Sequence, residues 1–381
     1  MRAYVWTDKA LTRHAGRFVW LSLDMEQVQN AAARRQLRIS AFPTLYVVDP
    51  ADGHVAIRWL GEASIAQLER LFDDGELAVK GGARGPALEA LVAADRAYGA
   101  ENFADACSGY RAALAVAPAD WPARARCIES LMFAYSQADS NAASLLLADT
   151  EWPRARGSTS AAIVAGWALN AAVRLPDTLA IRKDWLARYE AACHEVLADA
   201  TLPLVGDDRS ELYFSLEDAR SAAGDSLGVR ALREQHVAML QDEARRARSA
   251  EQRAVYDSHR TTLYIALGRP DAAIAMLQQS QRDFPDDYNP PQRLASAYRA
   301  MKLWPEALAA SDRALARAYG PRQFIVLNTR ADIQLGMGDK AAAIATLTEA
   351  LGRARKMPDG QRSENTTKSL QKRLAGLTGT K

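Results

Sequence analysis

Cysteine is scarce in this chain: Cys107, Cys127 and Cys193 are the three in 381 residues. Their odd number excludes a complete intramolecular disulfide framework, and their spacing fits no zinc pattern. They are expected as small buried apolar residues in helices, with a Cys107–Cys127 bridge as the alternative. Histidine is equally thin, at five residues. No two form an H-E-x-x-H pair, so no metal site is expected. Cys193-His194-Glu195 looks suggestive, but consecutive helical residues point about 100° apart and cannot converge on one ion. Excess charge is missing too, since 48 basic and 46 acidic residues leave a net charge of +2. That balance offers no footprint for nucleic acid or an anionic membrane. Long apolar runs are also missing. The nearest, Ala161 to Leu175, is too short to span a bilayer and is interrupted by Asn170 and Arg174, so a buried helix is expected there. No segment has the charged start, apolar middle and small-residue end of a signal peptide. Cysteine usage does not fix the compartment.

What the chain does have is length and repetition. At 381 residues and 49% apolar content it is too large for one ordinary core. Gly81-Gly82-Ala83-Arg84-Gly85 marks the best boundary, with a linker over 79–86. It lacks the Lys-Ser/Thr and the preceding strand of a phosphate loop, and no cofactor is expected. Beyond it the chain reads as helical, rich in Ala and Leu. Residues 87–120 carry Ala94, Ala106, Tyr110, Ala113 and Pro118. Residues 254–287 carry Tyr264, Gly268, Ala273, Leu277 and Pro285, and 288–321 carry Leu294, Ala295, Tyr298, Ala307 and Ala314, with Trp304 in the turn. A fourth copy, 324–357, has Ala331, Gly338, Ala343, Leu347 and Ala350. The period of roughly 34 residues, with small residues where helices touch, resembles the tetratricopeptide repeat. Residues 87–377 are therefore expected to form an α-solenoid of helix-turn-helix repeats, degenerate in the middle and irregular near Thr201 to Asp208. In that middle, Asp120-Trp121-Pro122, Ser158 and Pro176-Asp177 are expected to open helices.

The front, residues 1–78, reads differently. Phe18 to Leu23 is an apolar run short enough for a buried strand, and helix is expected from Met25 to about Leu37. Thr44 to Val48 is a second strand, and Asp52-Gly53 turns the chain into His54 to Leu60. Ser64 with Gln67 is a capping box for a helix that places Ile65, Leu68, Leu71 and Phe72 on one face. This order, with Ala41-Phe42-Pro43-Thr44 ahead of the strand, resembles the thioredoxin-like family. The fold class expected is therefore mainly α, with a small α/β thioredoxin-like segment before the solenoid.

The resemblance implies a cis-proline at Pro43, and Phe42, Pro43 and Thr44 as the edge that pairs with a substrate polypeptide. From the residues alone, Pro43 is equally a loop proline ahead of a strand. The family's Cys-x-x-Cys pair would fall where the chain begins, with Arg2 to His14 as the back of its helix. Without the strand leading into that helix, backbone groups of two apolar strands would go unpaired at about 1–3 kcal/mol each. Either the strands close up, or the natural chain extends upstream, and the extension is the expectation.

Two functions are consistent with these features. As written, the chain has no catalytic residue and reads as a polypeptide-binding adaptor whose partner is a protein or peptide client. The alternative is a thiol-disulfide oxidoreductase whose cysteine pair lies upstream of Met1. Localisation forks in the same way: cytoplasmic as written, or a bacterial envelope if an export signal precedes Met1. The remaining conspicuous residues have ordinary expectations. Asp207-Asp208 and Asp286-Asp287 cap helices, Arg245-Arg246-Ala247-Arg248 is a solvated face, and Trp121, Trp152, Trp167, Trp185 and Trp304 are packing residues.

Overall fold

The structure is a computed structural model that describes residues 5–37, 39, 42–61, 63–80 and 85–379, the side chain of Leu60 aside. The elements begin with α1 (Ala31–Leu37), β1 (Thr44–Val48), β2 (Val55–Leu60) and α2 (Ile65–Val79). Helices α3 (Pro86–Gly99), α4 (Phe103–Val116), α5 (Arg124–Gln137), α6 (Asn141–Ala155), α7 (Ser160–Arg174), α8 (Arg182–Ala198) and α9 (Gly206–Ala222) come next. Then come α10 (Ser226–Arg246), α11 (Ala250–Ala254), α12 (Asp257–Ala266), α13 (Ile274–Asp283), α14 (Asn289–Ala300), α15 (Trp304–Leu315), α16 (Arg322–Gly336), α17 (Lys340–Arg355) and α18 (Glu364–Thr378). Single 3-10 turns lie at Lys9–His14, Val28–Asn30 and Pro270–Ala273. Among the described residues the chain is thus mainly helical with one small sheet. Its contacts divide it into two compact units: 1–18 with 39–236, and 19–38 with 237–381.

In the first unit, β1 and β2 pair antiparallel, with Thr44 opposite Leu60 and Val47 opposite Ile57. The Asp49 carboxylate accepts from Ala51 N–H and tightens the turn. Ser64 and Gln67 form the reciprocal capping box that opens α2, and Leu68, Leu71 and Phe72 pack with Ile57 and Trp59. Gly75 sits so close to Val47 that a Cβ there would fall 2.7 Å from Cγ2. The expected linker residues 81–84 lie outside the described residues. Helices α3 to α9 then build two larger clusters. One is centred on Leu91, Tyr98, Tyr110 and Leu131. The other gathers Leu145, Leu169, Tyr189 and Leu212 around α7, the expected buried Ala-rich helix. Trp121 flanks the first cluster; Trp152, Trp167 and Trp185 flank the second. All three cysteines are buried free thiols, so the alternative Cys107–Cys127 bridge is not formed.

One turn recurs six times along the helical part. Glu101, Asp139, Gly224, Gly268, Lys302 and Gly338 each take a positive φ one residue past a helix C-cap. In each, the next residue's N–H reaches back to close the helix end: Asn102 to Ala97 O, Ser140 to Tyr135 O, Asp225 to Arg220 O, Arg269 to Tyr264 O, Leu303 to Tyr298 O and Asp339 to Gln334 O. These are Schellman caps, which satisfy carbonyls that a helix otherwise leaves without partners. The helix pairs α5–α6 and α9–α10, weak as repeats in sequence, turn as α14–α15 and α16–α17 do.

The apolar run Phe18 to Leu23 is corrected by the structure: it forms no strand. It is coil, with Val19 at 88% and Leu21 at 75% exposure. The helix expected from Met25 is also shorter, beginning as a 3-10 turn at Val28 and becoming α1 only at Ala31. The physical cause lies in the second unit. There the carboxamide of Gln361 donates to the carbonyls of Met25 (3.2 Å) and Gln27 (2.9 Å), within a turn that Gln27 N–H closes on the Asp24 carbonyl at 3.1 Å, so the chain turns here before the helix begins. Of the expected helix Arg2 to His14, residues 1–4 lie outside the described residues, and Asp8 caps a 3-10 turn over Lys9–His14. The helices expected to open near Trp121, Ser158 and Pro176 begin at Arg124, Ser160 and Arg182.

Candidate functional site

The residues singled out by the thioredoxin-like resemblance lie at the start of β1. The Phe42–Pro43 peptide bond is cis, and the Pro43 carbonyl accepts from Gly61 N–H at 2.9 Å. Phe42 is 62% exposed, while Thr44 enters the ladder opposite Leu60. Ala41 lies outside the described residues. The three are contiguous, but no thiol stands near them in sequence.

Behind the sheet, Arg58 of β2 stacks on Tyr98, its guanidinium 4.5 Å from the ring centroid. Arg126 donates to the Arg58 carbonyl at 2.8 Å and forms an ion pair with Asp95, which also accepts from the Tyr110 hydroxyl at 2.8 Å. All of these groups are buried. Burial raises the Asp95 carboxyl, against the pull of Arg126 and the Tyr110 hydrogen bond. A small cavity of about 20 Å³, near the volume one water needs, is lined by Trp59, Leu71, Asp74, Pro122 and Arg126. The network ties β2 to α3, α4 and α5.

In α9 and α10, Ser210, His236 and Glu217 line up in the order of a nucleophile, base and carboxylate. His236 Nε2 lies 2.9 Å from Ser210 Oγ. Its Nδ1 stands 3.7 Å from Glu217 Oε1, beyond a hydrogen bond. Ser210 and His236 are fully buried, and the ring stacks on Tyr213 at 4.8 Å. The arrangement packs helices and is closed to substrate. Among the described residues, Asp49, Asp52 and His54 bring three ligating atoms within 4.8 Å. Asp52 accepts from both His54 N–H and its ring at 3.0 and 2.6 Å, and Asp49 closes the same turn. These contacts are what an Asp-rich hairpin turn makes for itself. Cys193 is buried while His194 and Glu195 are exposed, so they do not converge.

The second unit carries a polar row that runs from helix to helix across its repeats. The Gln292 carboxamide of α14 donates to Thr329 Oγ1 of α16 at 2.7 Å. Arg299 pairs with Asp332 at 3.5 Å, and Arg373 of α18 donates to Asn328 at 2.6 Å and Asp332 at 2.5 Å. Ile325, on the same helix as Asn328 and Asp332, is 49% exposed. Behind the row, Ala307, Ala314, Ala331, Ala343 and Ala350 are fully or almost fully buried, and Gly336 receives the Trp304 ring. Small residues at these positions let the helices approach closely enough to bring the polar ends into line.

Residues 24–31 lie against two turns of this unit. Tyr319, after α15, donates its hydroxyl to Asp24 at 2.5 Å. Arg322, at the start of α16, forms an ion pair with Glu26, and Gln361, before α18, holds the Met25 and Gln27 carbonyls. The Asp24 carboxylate beside it raises the Tyr319 phenol, and burial acts in the same direction. Nothing in the sequence pattern pointed to Tyr319, Arg322 or Gln361; the one local signal was the pair of glycines, Gly320 and Gly360, in those turns.

Among the described residues no helix is long and apolar enough to cross a membrane. The basic cluster is solvated, with Arg245 pairing with Asp242 and Arg246 with Glu243. No curated protein matches the chain. Among the solved structures similar to it are the TPR2AB-domain:pHSP90 complex of yeast Sti1 and a Rap protein complexed with competence and sporulation factor. The first is 14% identical over 77% of this chain and 98% of that one, with a TM-score of 0.29. The second is 12% identical over 82% of this chain and 83% of that one, with a TM-score of 0.38. Residues 288–356, spanning α14 to α17, match the tetratricopeptide repeat family, so this chain contains a tetratricopeptide-repeat region.

Proposed function

We propose that the chain is a non-catalytic polypeptide-binding scaffold, and that its client docks on the polar row of α14, α16 and α18. The single observation that carries this is the row itself. Gln292, Thr329, Arg299, Asp332 and Arg373 are engaged from repeat to repeat, and Ile325 stands exposed among them. Fixed polar groups that frame a partly exposed apolar side chain suit an extended or helical peptide with one apolar anchor. The Phe42-Pro43-Thr44 edge is a second candidate contact, and its role rests on the thioredoxin-like resemblance.

The test is affinity capture from native cells with the full chain and with an Ile325→Glu, Asp332→Lys variant. A polypeptide recovered by the parent and lost from the variant supports the assignment. Recovery of the same partners by both would remove the row from the binding surface.

A further inference from the structure

The occupant of the two turns in the second unit is recognised by side chain and by backbone at once. Gln361 is 3% exposed, and its one carboxamide nitrogen bonds two carbonyls of residues 24–31. Asp24 and Glu26 are each met by a separate donor, Tyr319 and Arg322. Between them Met25 is buried, and Ala31 is buried at the far end. The two glycines supply closeness. A Cβ on Gly320, at φ +49°, would collide with the Glu26 carbonyl oxygen, and one on Gly360, at φ +91°, would fall 2.6 Å from the Ala31 oxygen. Backbone capture, two acid contacts and a buried apolar side chain between the acids make a sequence-specific peptide site. The apolar residues just before the bound stretch, Val19, Trp20, Leu21 and Leu23, stay exposed.

We propose that Tyr319, Arg322 and Gln361 form a recognition site for an acidic turn of the pattern Asp-apolar-Glu. Residues 24–31 of this chain fill it in cis, and a partner peptide of the same chemistry enters by displacing them. The site is distinct from the polar row, and it selects by charge and backbone, where the row presents an apolar anchor. It therefore stands or falls apart from the proposed function.

The experiment uses the full chain and a fluorescent synthetic peptide matching residues 22–33. Asp24→Asn with Glu26→Gln weakens the internal occupant, and this variant is expected to bind the peptide at least ten-fold more tightly than the parent. Adding Gln361→Ala to it is expected to abolish binding, and adding Tyr319→Phe, a loss of one hydroxyl, to weaken it. A peptide with Asn and Gln in place of its acids is expected not to bind. Hydrogen exchange at residues 24–31 of the parent should quicken under excess peptide. Equal affinity in parent and acid-to-amide variant, or binding that survives both Gln361→Ala and Tyr319→Phe, would overturn the proposal.

Discussion

Lys302 and Gly338 hold the same left-handed backbone position one repeat apart, with φ 59° and 82°. Each precedes a residue whose N–H closes the preceding helix, at 3.0 Å for Leu303 and 2.9 Å for Asp339. For lysine this conformation costs about 1 kcal/mol, because its Cβ crowds the following carbonyl. Lys302→Gly is therefore expected to stabilise the second unit by up to about 1 kcal/mol, reduced by glycine's greater freedom when unfolded. Urea denaturation measures it, and a destabilised variant would contradict the strain.

Asp95 and Arg126 are both about 5% exposed and depend on one another. Removing one leaves the other charged and buried, so Asp95→Leu alone should cost about 3–5 kcal/mol. The double replacement Asp95→Leu with Arg126→Met should recover most of that loss. Strictly additive costs in a double-mutant cycle would show that the pair is not coupled.

Glu129 gives the first unit a pH dependence. Burial raises its carboxyl from 4.5 to about 7, against the Ser160 hydrogen bond, while Asp208 adds to the rise and Arg126 opposes it. The folded state thus holds this proton more tightly than the unfolded chain. Its contribution is complete below about pH 4.5 and is lost as pH rises through about 7, amounting to roughly 3 kcal/mol. Glu129→Gln should keep the Ser160 contact and flatten the stability profile across that window. A profile parallel to the parent's would count against the assignment.

Gly109 packs against α3 so closely that a Cβ would lie 2.8 Å from Ala94 Cβ and 3.2 Å from its Cα. Gly109→Ala gains about 1 kcal/mol of helix propensity and incurs overpacking of about 1–3 kcal/mol. Net destabilisation is expected because the obstructing atoms belong partly to backbone. A higher melting temperature would show that α3 and α4 can separate freely.

The thiols should be inert in the folded chain. Burial pushes Cys127 up to about 12, raises Cys107, and raises Cys193 with help from Glu190. A thiol reagent at pH 8 should titrate none of them quickly, and all three once urea is added. Insulin disulfide reduction by the chain should not exceed background. Fast labelling or clear turnover would place a reactive thiolate where the geometry has none.

What the sequence made legible was local or periodic. Ser64 and Gln67 announce a cap because both partners lie within one helical turn. Ala307, Ala314, Ala331 and Ala343 announce close-packed helices because their spacing repeats. Of the six Schellman turns, two fall at glycines that the repeat pattern marks, Gly268 and Gly338, while Glu101, Asp139 and Lys302 stand where glycine would have signalled a turn. The Asp95–Arg126 pair joins residues 31 positions apart and leaves no local trace. Phe18 to Leu23 misled for the opposite reason. Its pattern is that of a strand, while the adjoining residues 24–31 are held through the Asp24 and Glu26 carboxylates by Tyr319 and Arg322 and through their backbone by Gln361, far along the chain.

That distance has a consequence for how the molecule is made. Gln361 reaches carbonyls 336 and 334 positions earlier in the chain. Residues 24–31 leave the ribosome long before the turns that receive them exist. At about 5–20 residues per second, that gap lasts on the order of tens of seconds. Throughout it, the uncharged run Val19 to Leu23 stands beside an unanchored acidic segment. A nascent chain stalled before Gln361 would offer that segment to any bystander, and completing the last helices withdraws it.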